Sequence, residues 1–187
     1  MGSLLKGVSG VRWGELRDAR GLPAGGIPPL LSRIAYGDEG TARLAVDELG
    51  YRVCVLGFVV GEATPSTVPF LLELVGAPYV PCKAELLDLL EGIYRTDNWH
   101  SSAAAAGRLK RTGFREQPVW ESASREAVHA GRLVIEGLAS SMCPEDAEPA
   151  RKLLLARTRC RRSRTFEEGR PLGDRQPHWR GEPRDGT

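Results

Sequence analysis

The sequence predicts an all-α fold, a short α-solenoid of antiparallel helix pairs with a disordered basic C-terminal tail, and three observations lead there. Ile27, Leu30, Leu31 and Ile34 follow the i, i+3, i+4, i+7 spacing that gathers side chains on one stripe of a helix. Val68, Leu71, Leu72 and Val75 repeat that spacing 41 residues later, and in each set a proline, Pro28 or Pro69, follows the first apolar residue. Each stripe is then followed by a turn and a second stripe: Ala42, Ala45, Val46 and Leu49 in one copy, Leu86, Leu89, Leu90 and Ile93 in the other. Helix pairs that recur every ~40 to 47 residues are the mark of solenoids built from paired helices.

Taken in order, residues 1–10 are small and mixed and are expected to fray. Trp13, Leu16 and Ala19 give a short helical stripe ended by Gly21. The first strong helix is expected over 27–36, its proline tolerated because an N–H in the first turn has no intrahelical partner. Gly37-Asp38-Glu39-Gly40 is turn chemistry, with Thr41 as the expected N-cap of the next helix. Val53–Val60 is an unbroken apolar run whose β-branched residues suit a strand; inside a helical repeat, a buried helix is the preferred assignment. Thr67 is the candidate cap of a helix over 68–76, with Pro78 and Pro81 marking the turn before a helix over 83–94. Residues 95–122 interrupt the rhythm, with Ala103–Ala106 opening a short helix inside the interruption. A third copy runs over 124–139 on Gly131, Val134, Ile135 and Leu138, and its partner helix spans 146–156. From 157 to 187 arginine, proline, glycine and charge dominate, and such a composition has too little to bury to offset the entropy of folding. The expected organisation is therefore a frayed end over 1–10, a helical domain over 11–156 and a disordered tail over 157–187.

Composition narrows the function classes. The net charge of +2 divides unevenly, the tail being basic and the body slightly acidic, so the body gives no reason to expect nucleic acid. The four cysteines lie far apart with no C-x-x-C pair, which argues against a tetrahedral zinc site and for free, mostly buried thiols. No secretory signal opens the chain, and the longest apolar run is far short of the ~20 residues that cross a membrane. A soluble, cytoplasmic protein without membrane contact is expected.

The residues that carry chemistry are few. His100, His129 and His178 stand in no metal-binding or catalytic arrangement, His129 being expected near the start of a helix as a partly exposed surface residue. The Glu85/Asp88 pair sits at i, i+3 on a helix, where a solvated face is the plain explanation. The glycines form no phosphate-binding loop, and Ser101-Ser102 and Ser140-Ser141 lack the context of a nucleophile. No catalytic, cofactor-binding or metal-binding residue is expected, and no enzyme.

One resemblance supports the repeat. Trp13, Leu16, Gly21, Ile27-Pro28, Leu30-Leu31, Leu49 and the segment Val68-Pro69-Phe70-Leu71-Leu72-Glu73-Leu74 resemble a group of bacterial HEAT-repeat proteins over residues 11–156. The resemblance implies a single-domain HEAT-like solenoid of unassigned function. Where that group carries a polar His-Gln-Gly-Thr stretch, this chain has Val55-Leu56-Gly57-Phe58 and keeps only the glycine.

Stacked helix pairs form a concave face whose exposed side chains choose a partner. The leading expectation is therefore a protein–protein interaction module or scaffold, and if the second helices line that face, Arg43, Asp47, Asp88 and Glu91 are the candidate contacts. The alternative is nucleic-acid binding, through a solenoid surface or through the tail residues Arg157, Arg159, Arg161, Arg162 and Arg164, since arginine runs hold phosphate backbones without sequence preference.

Overall fold

A computed structural model describes residues 4–96 and 117–167, with 117–118 and 158–167 by backbone alone. Among the described residues the chain is mostly helical: α1 (Ile27–Tyr36), α2 (Glu39–Val53), α3 (Thr64–Gly76), α4 (Lys83–Tyr94), α5 (Gln117–Ala130), α6 (Arg132–Ala139) and α7 (Pro144–Glu167). A two-stranded antiparallel sheet, β1 (Cys54–Val55) and β2 (Val59–Val60), separates α2 from α3.

The first pair forms as its stripes require. Ile27, Leu30, Leu31 and Ile34 of α1 and Ala42, Ala45, Val46 and Leu49 of α2 are all buried. Ion pairing of Arg33 with Glu48 and the tight turn at Gly37 run the two helices antiparallel; a Cβ on Gly37 would lie 2.5 Å from the carbonyl oxygen of Arg33. The N-cap of α2 is Asp38 and not Thr41. Asp38 Oδ1 accepts from the Thr41 N–H at 2.7 Å, and that backbone hydrogen bond is the main cause that lowers the Asp38 carboxyl below its ordinary value.

The run Val53–Val60 is not a helix. Beyond Val53 the chain turns back through Leu56 and Gly57, both at positive φ, and pairs Cys54 with Val60 and Val55 with Val59. A left-handed glycine ends the helical option, and the β-branched valines then suit the ladder. Thr64, buried on α3, ties the hairpin down: its Oγ1 donates to the Val53 carbonyl at 2.7 Å and accepts from the Gly61 N–H at 3.0 Å. Helix α3 thus starts earlier than expected, Thr67 is not its cap, and Pro69 lies inside it. The Thr67 hydroxyl donates to the Ala63 carbonyl, whereas Pro69 has no N–H to offer the preceding turn.

The helical stripe expected at Trp13, Leu16 and Ala19 is also absent. The buried carboxylate of Asp18 accepts from the N–H groups of Arg20 and Leu22, each at 2.9 Å, which fixes a turn in place of a helix. Its other oxygen lies 3.6 Å from both the Arg20 and Arg52 guanidinium groups, joining this segment to the end of α2. Gly61 backs the turn so closely that a Cβ there would sit 2.5 Å from the Ala19 nitrogen. Trp13 is buried against Phe70 with ring centroids 6.1 Å apart, its Nε1–H donating to the Val8 carbonyl. The amino end is described from Leu4, and the Leu5 N–H donates to Glu73 Oε1 at 3.0 Å.

The third copy, expected as one helix over 124–139, is divided at Gly131 into α5 and α6. A Cβ on Gly131 would lie 2.3 Å from a Leu72 methyl, so glycine at the break leaves room for α3. Helix α7 is longer than the expected 146–156 and continues through Glu167, so the start of the expected tail is helical. Residues 168–187 and the expected helix at Ala103–Ala106 lie outside the described residues.

Contacts set α2, α4 and α7 side by side and parallel. Cys82 Sγ lies 3.8 Å from the Glu39 carbonyl, Arg43 pairs with Glu85, and a Cβ on Gly50 would approach Leu89, so both helices advance together. In the same sense Lys83 pairs with Asp146, and Lys152 reaches both Asp88 and Glu91. The spacings that join neighbours, 43 residues for Cys82 to Glu39 and 64 for Lys152 to Asp88, lie close to the offsets of the sequence copies. Helix α3 likewise packs on α1 and on α5, so the first helices of the pairs form a series of their own.

Candidate interaction surface

The parallel series brings the outward sides of α2, α4 and α7 onto one surface. On α2 the buried stripe leaves Leu44, Asp47 and Tyr51 at i, i+3 and i+7 on the opposite side, and Leu44 and Tyr51 are 65% and 67% exposed. Asp47 is exposed and has no hydrogen bond or ion pair among the described residues. The hairpin tip carries a further exposed apolar side chain, Leu56, at 77%. Its position depends on Gly92, where a Cβ would lie 2.8 Å from the Gly57 carbonyl oxygen.

The four candidate contacts are thus used unequally. Arg43 bonds Glu39 at 3.1 Å and Glu85 at 3.2 Å, and its guanidinium is held above its ordinary pKa by the hydrogen bond to Cys82 first and by Glu85 next. Asp88 accepts from Lys152 at 3.2 Å. Glu91 is buried, only 5% exposed, and pairs with Lys152 and Arg95, each at 2.7 Å. Hydrogen bonds to Glu91 and then Asp88 raise the Lys152 pKa above the usual lysine value. Asp47 and Asp88, equivalent in the sequence copies, therefore differ: Asp88 braces the α4–α7 contact and Asp47 remains open.

Sequence reasoning did not select Leu44 and Tyr51. The signal was present, because both fall off the Ala42, Ala45, Val46, Leu49 stripe on the side where Asp47 lies. Of the arginine set, Arg157 is half-buried and donates to His129 Nδ1, while Arg159, Arg161, Arg162 and Arg164 lie on the last turns of α7, described as backbone. His129 lies in the last turn of α5, not near a helix start, and is exposed.

Chemistry elsewhere is spare. Burial pushes the Cys54 thiol up to about 12, which leaves it protonated and unreactive near neutrality. Cys82 is half-buried and Cys143 exposed, and both are free thiols. Among the described residues no group of three or more His, Cys, Asp or Glu side chains is placed to hold a metal ion, and no helix is long and apolar enough to cross a membrane. No family model matches this chain, and neither a curated protein nor a solved structure matches it.

Proposed function

We propose that this chain is a short HEAT-like α-solenoid that acts as a non-catalytic, cytoplasmic protein-binding module, engaging its partner across the outward side of α2 and its neighbours. The observation that carries this reading is the open strip of Leu44, Asp47 and Tyr51: two large apolar side chains flanking a carboxylate that nothing in the described chain neutralises. Exposed tyrosine is a favoured anchor at protein interfaces, since it adds contact area at low entropic cost. The parallel series α2, α4, α7 and the near-repeat spacing of its cross-links support the solenoid arrangement.

The test is capture from nuclease-treated lysate with the parent chain and with two variants, Leu44→Ala/Tyr51→Ala and Asp47→Arg. One protein recovered in near-equal amount with the parent, and lost with both variants, is the expected result. Recovery unaffected by the variants removes α2 from the interface.

A second reading, binding of nucleic acid, draws on the helical continuation of α7, which gathers five arginines on its last turns. Recovery that collapses with nuclease and falls steeply with salt favours it.

A further inference from the structure

The charges that flank the exposed strip of α2 are already engaged. Arg43 bonds Glu39 and Glu85, and Glu48 lies beside Arg33 and Arg52. The strip itself keeps an unpaired carboxylate, Asp47, and an unbonded phenol, Tyr51, among the described residues. The outward positions of α4 do not widen it, because Asp88 is held by Lys152 and Gly92 lies against Gly57 of the hairpin. The open surface is therefore one helix ridge, long and narrow. Counted from Leu44, the carboxylate follows after three residues and Tyr51 after seven, roughly 4.5 and 10.5 Å along the axis.

We propose, on the reading that α2 is the interface, that its occupant is a helix of another protein that places a lysine or arginine between two apolar side chains. A partner seated on Leu44 and Tyr51 excludes water from Asp47, and a carboxylate stripped of water is costly unless a cation meets it. A facing helix has the same rise as α2. Its side chains at i, i+3 or i+4, and i+7 thus come into register with Leu44, Asp47 and Tyr51.

Other occupants fit less well. An extended segment gains its affinity by pairing its backbone with a sheet edge, and the described strands, β1 and β2, are two residues each. For a second copy of this chain the charge is wrong. The middle of the strip falls between Asp47 and Glu48, so a twofold pairing of two ridges sets carboxylate against carboxylate. A phosphate backbone meets the same repulsion.

Selection on the full chain tests this. The probe is a displayed library of helices on one scaffold, randomised at the outward i, i+3, i+4 and i+7 positions, with Leu44→Ala/Tyr51→Ala as counter-bait. Enrichment of apolar residues at i and i+7 around a lysine or arginine is expected. An enriched helix, made as a free peptide, is expected to bind Asp47→Arg about tenfold more weakly than the parent and to recover when its base is replaced by Glu. Asp47 is exposed, so an unchanged urea midpoint is expected beside that loss. Enrichment without a base, or binding that Asp47→Arg leaves unchanged, overturns the proposal. So does dimerisation of the parent chain that Leu44→Ala/Tyr51→Ala abolishes. If no helix is enriched while a lysate protein is still lost with both α2 variants, the interface stands and its helical occupant falls.

Discussion

Helix α4 meets α2 and α7 through contacts of different kinds. Toward α2 the charged contacts are solvent-exposed, Arg43 bridging Glu39 and Glu85, while closeness comes from glycine, with Gly50 near Leu89 and Gly92 beneath Gly57. Toward α7 a buried carboxylate is at stake: Glu91 is met by Lys152 and Arg95, and Lys83 pairs with Asp146. Exposed ion pairs contribute little because water screens them and long side chains lose entropy. A buried carboxylate deprived of a cation is destabilising. Both contacts are packed, since Ala147, Ala150 and Leu153 of α7 are fully buried, and the second adds a buried carboxylate that needs its cations. Surface groups beside α2 are consequently free to serve a partner, whereas Asp88 and Glu91 are held by the fold.

This contrast can be broken most severely at the helix both contacts share. Leu90 is fully buried on α4, and Leu90→Ala is expected to cost about 3 kcal/mol in urea unfolding. A single transition at a lower midpoint ties the two contacts together; two transitions separate them. Lys152→Met isolates the charged contact. Its expected cost is about 1–2 kcal/mol, below the full penalty of breaking a buried pair, because Lys152 is half-exposed and Arg95 stays beside Glu91.

The same lysine gives a pH prediction. Its pKa is raised in the folded chain, so its contribution is fully present below the unfolded lysine value, roughly 10.4, and is lost as pH rises through the higher folded value. A fall in urea midpoint at alkaline pH that is smaller in Lys152→Met is the expected outcome, and equal falls remove Lys152 as its source. Thiol labelling near pH 8 probes burial at finer scale: Cys143 is expected to react first, Cys82 later and Cys54 last. The smallest effect is expected at Arg43→Ala, with no resolvable shift in the urea midpoint. A clear shift there means the α2 contact also relies on charge.

The sequence made the helices legible where an apolar stripe repeats cleanly, and the expected 27–36 and 83–94 match α1 and α4 in extent. It failed where one residue's conformation or a distant contact decides. Asp18 spends its carboxylate on a turn and removes the helix expected around Trp13. Leu56 and Gly57 turn left-handed and convert an apolar run into a hairpin. The helix expected over 124–139 breaks at Gly131, where the missing Cβ leaves room for Leu72, far away in sequence. The candidate surface was half legible for a related reason. Periodicity put Asp47 and Asp88 at equivalent positions, but Lys152, which separates their roles, comes from a helix whose register no local pattern fixes.

The parallel packing of α2, α4 and α7 gives this series of helices an electrical direction. Each helix carries a dipole equivalent to about half an elementary charge of negative sign at its carboxyl end, and aligned dipoles add where antiparallel ones cancel. Arg52 occupies the last turn of α2, and Arg95 is the C-cap of α4. Acids mark the opposite edge, where Asp38 and Glu39 open α2, Glu85 lies in the first turn of α4, and Glu145 and Asp146 lie in that of α7, so side-chain charge opposes the helix field at both edges of the series.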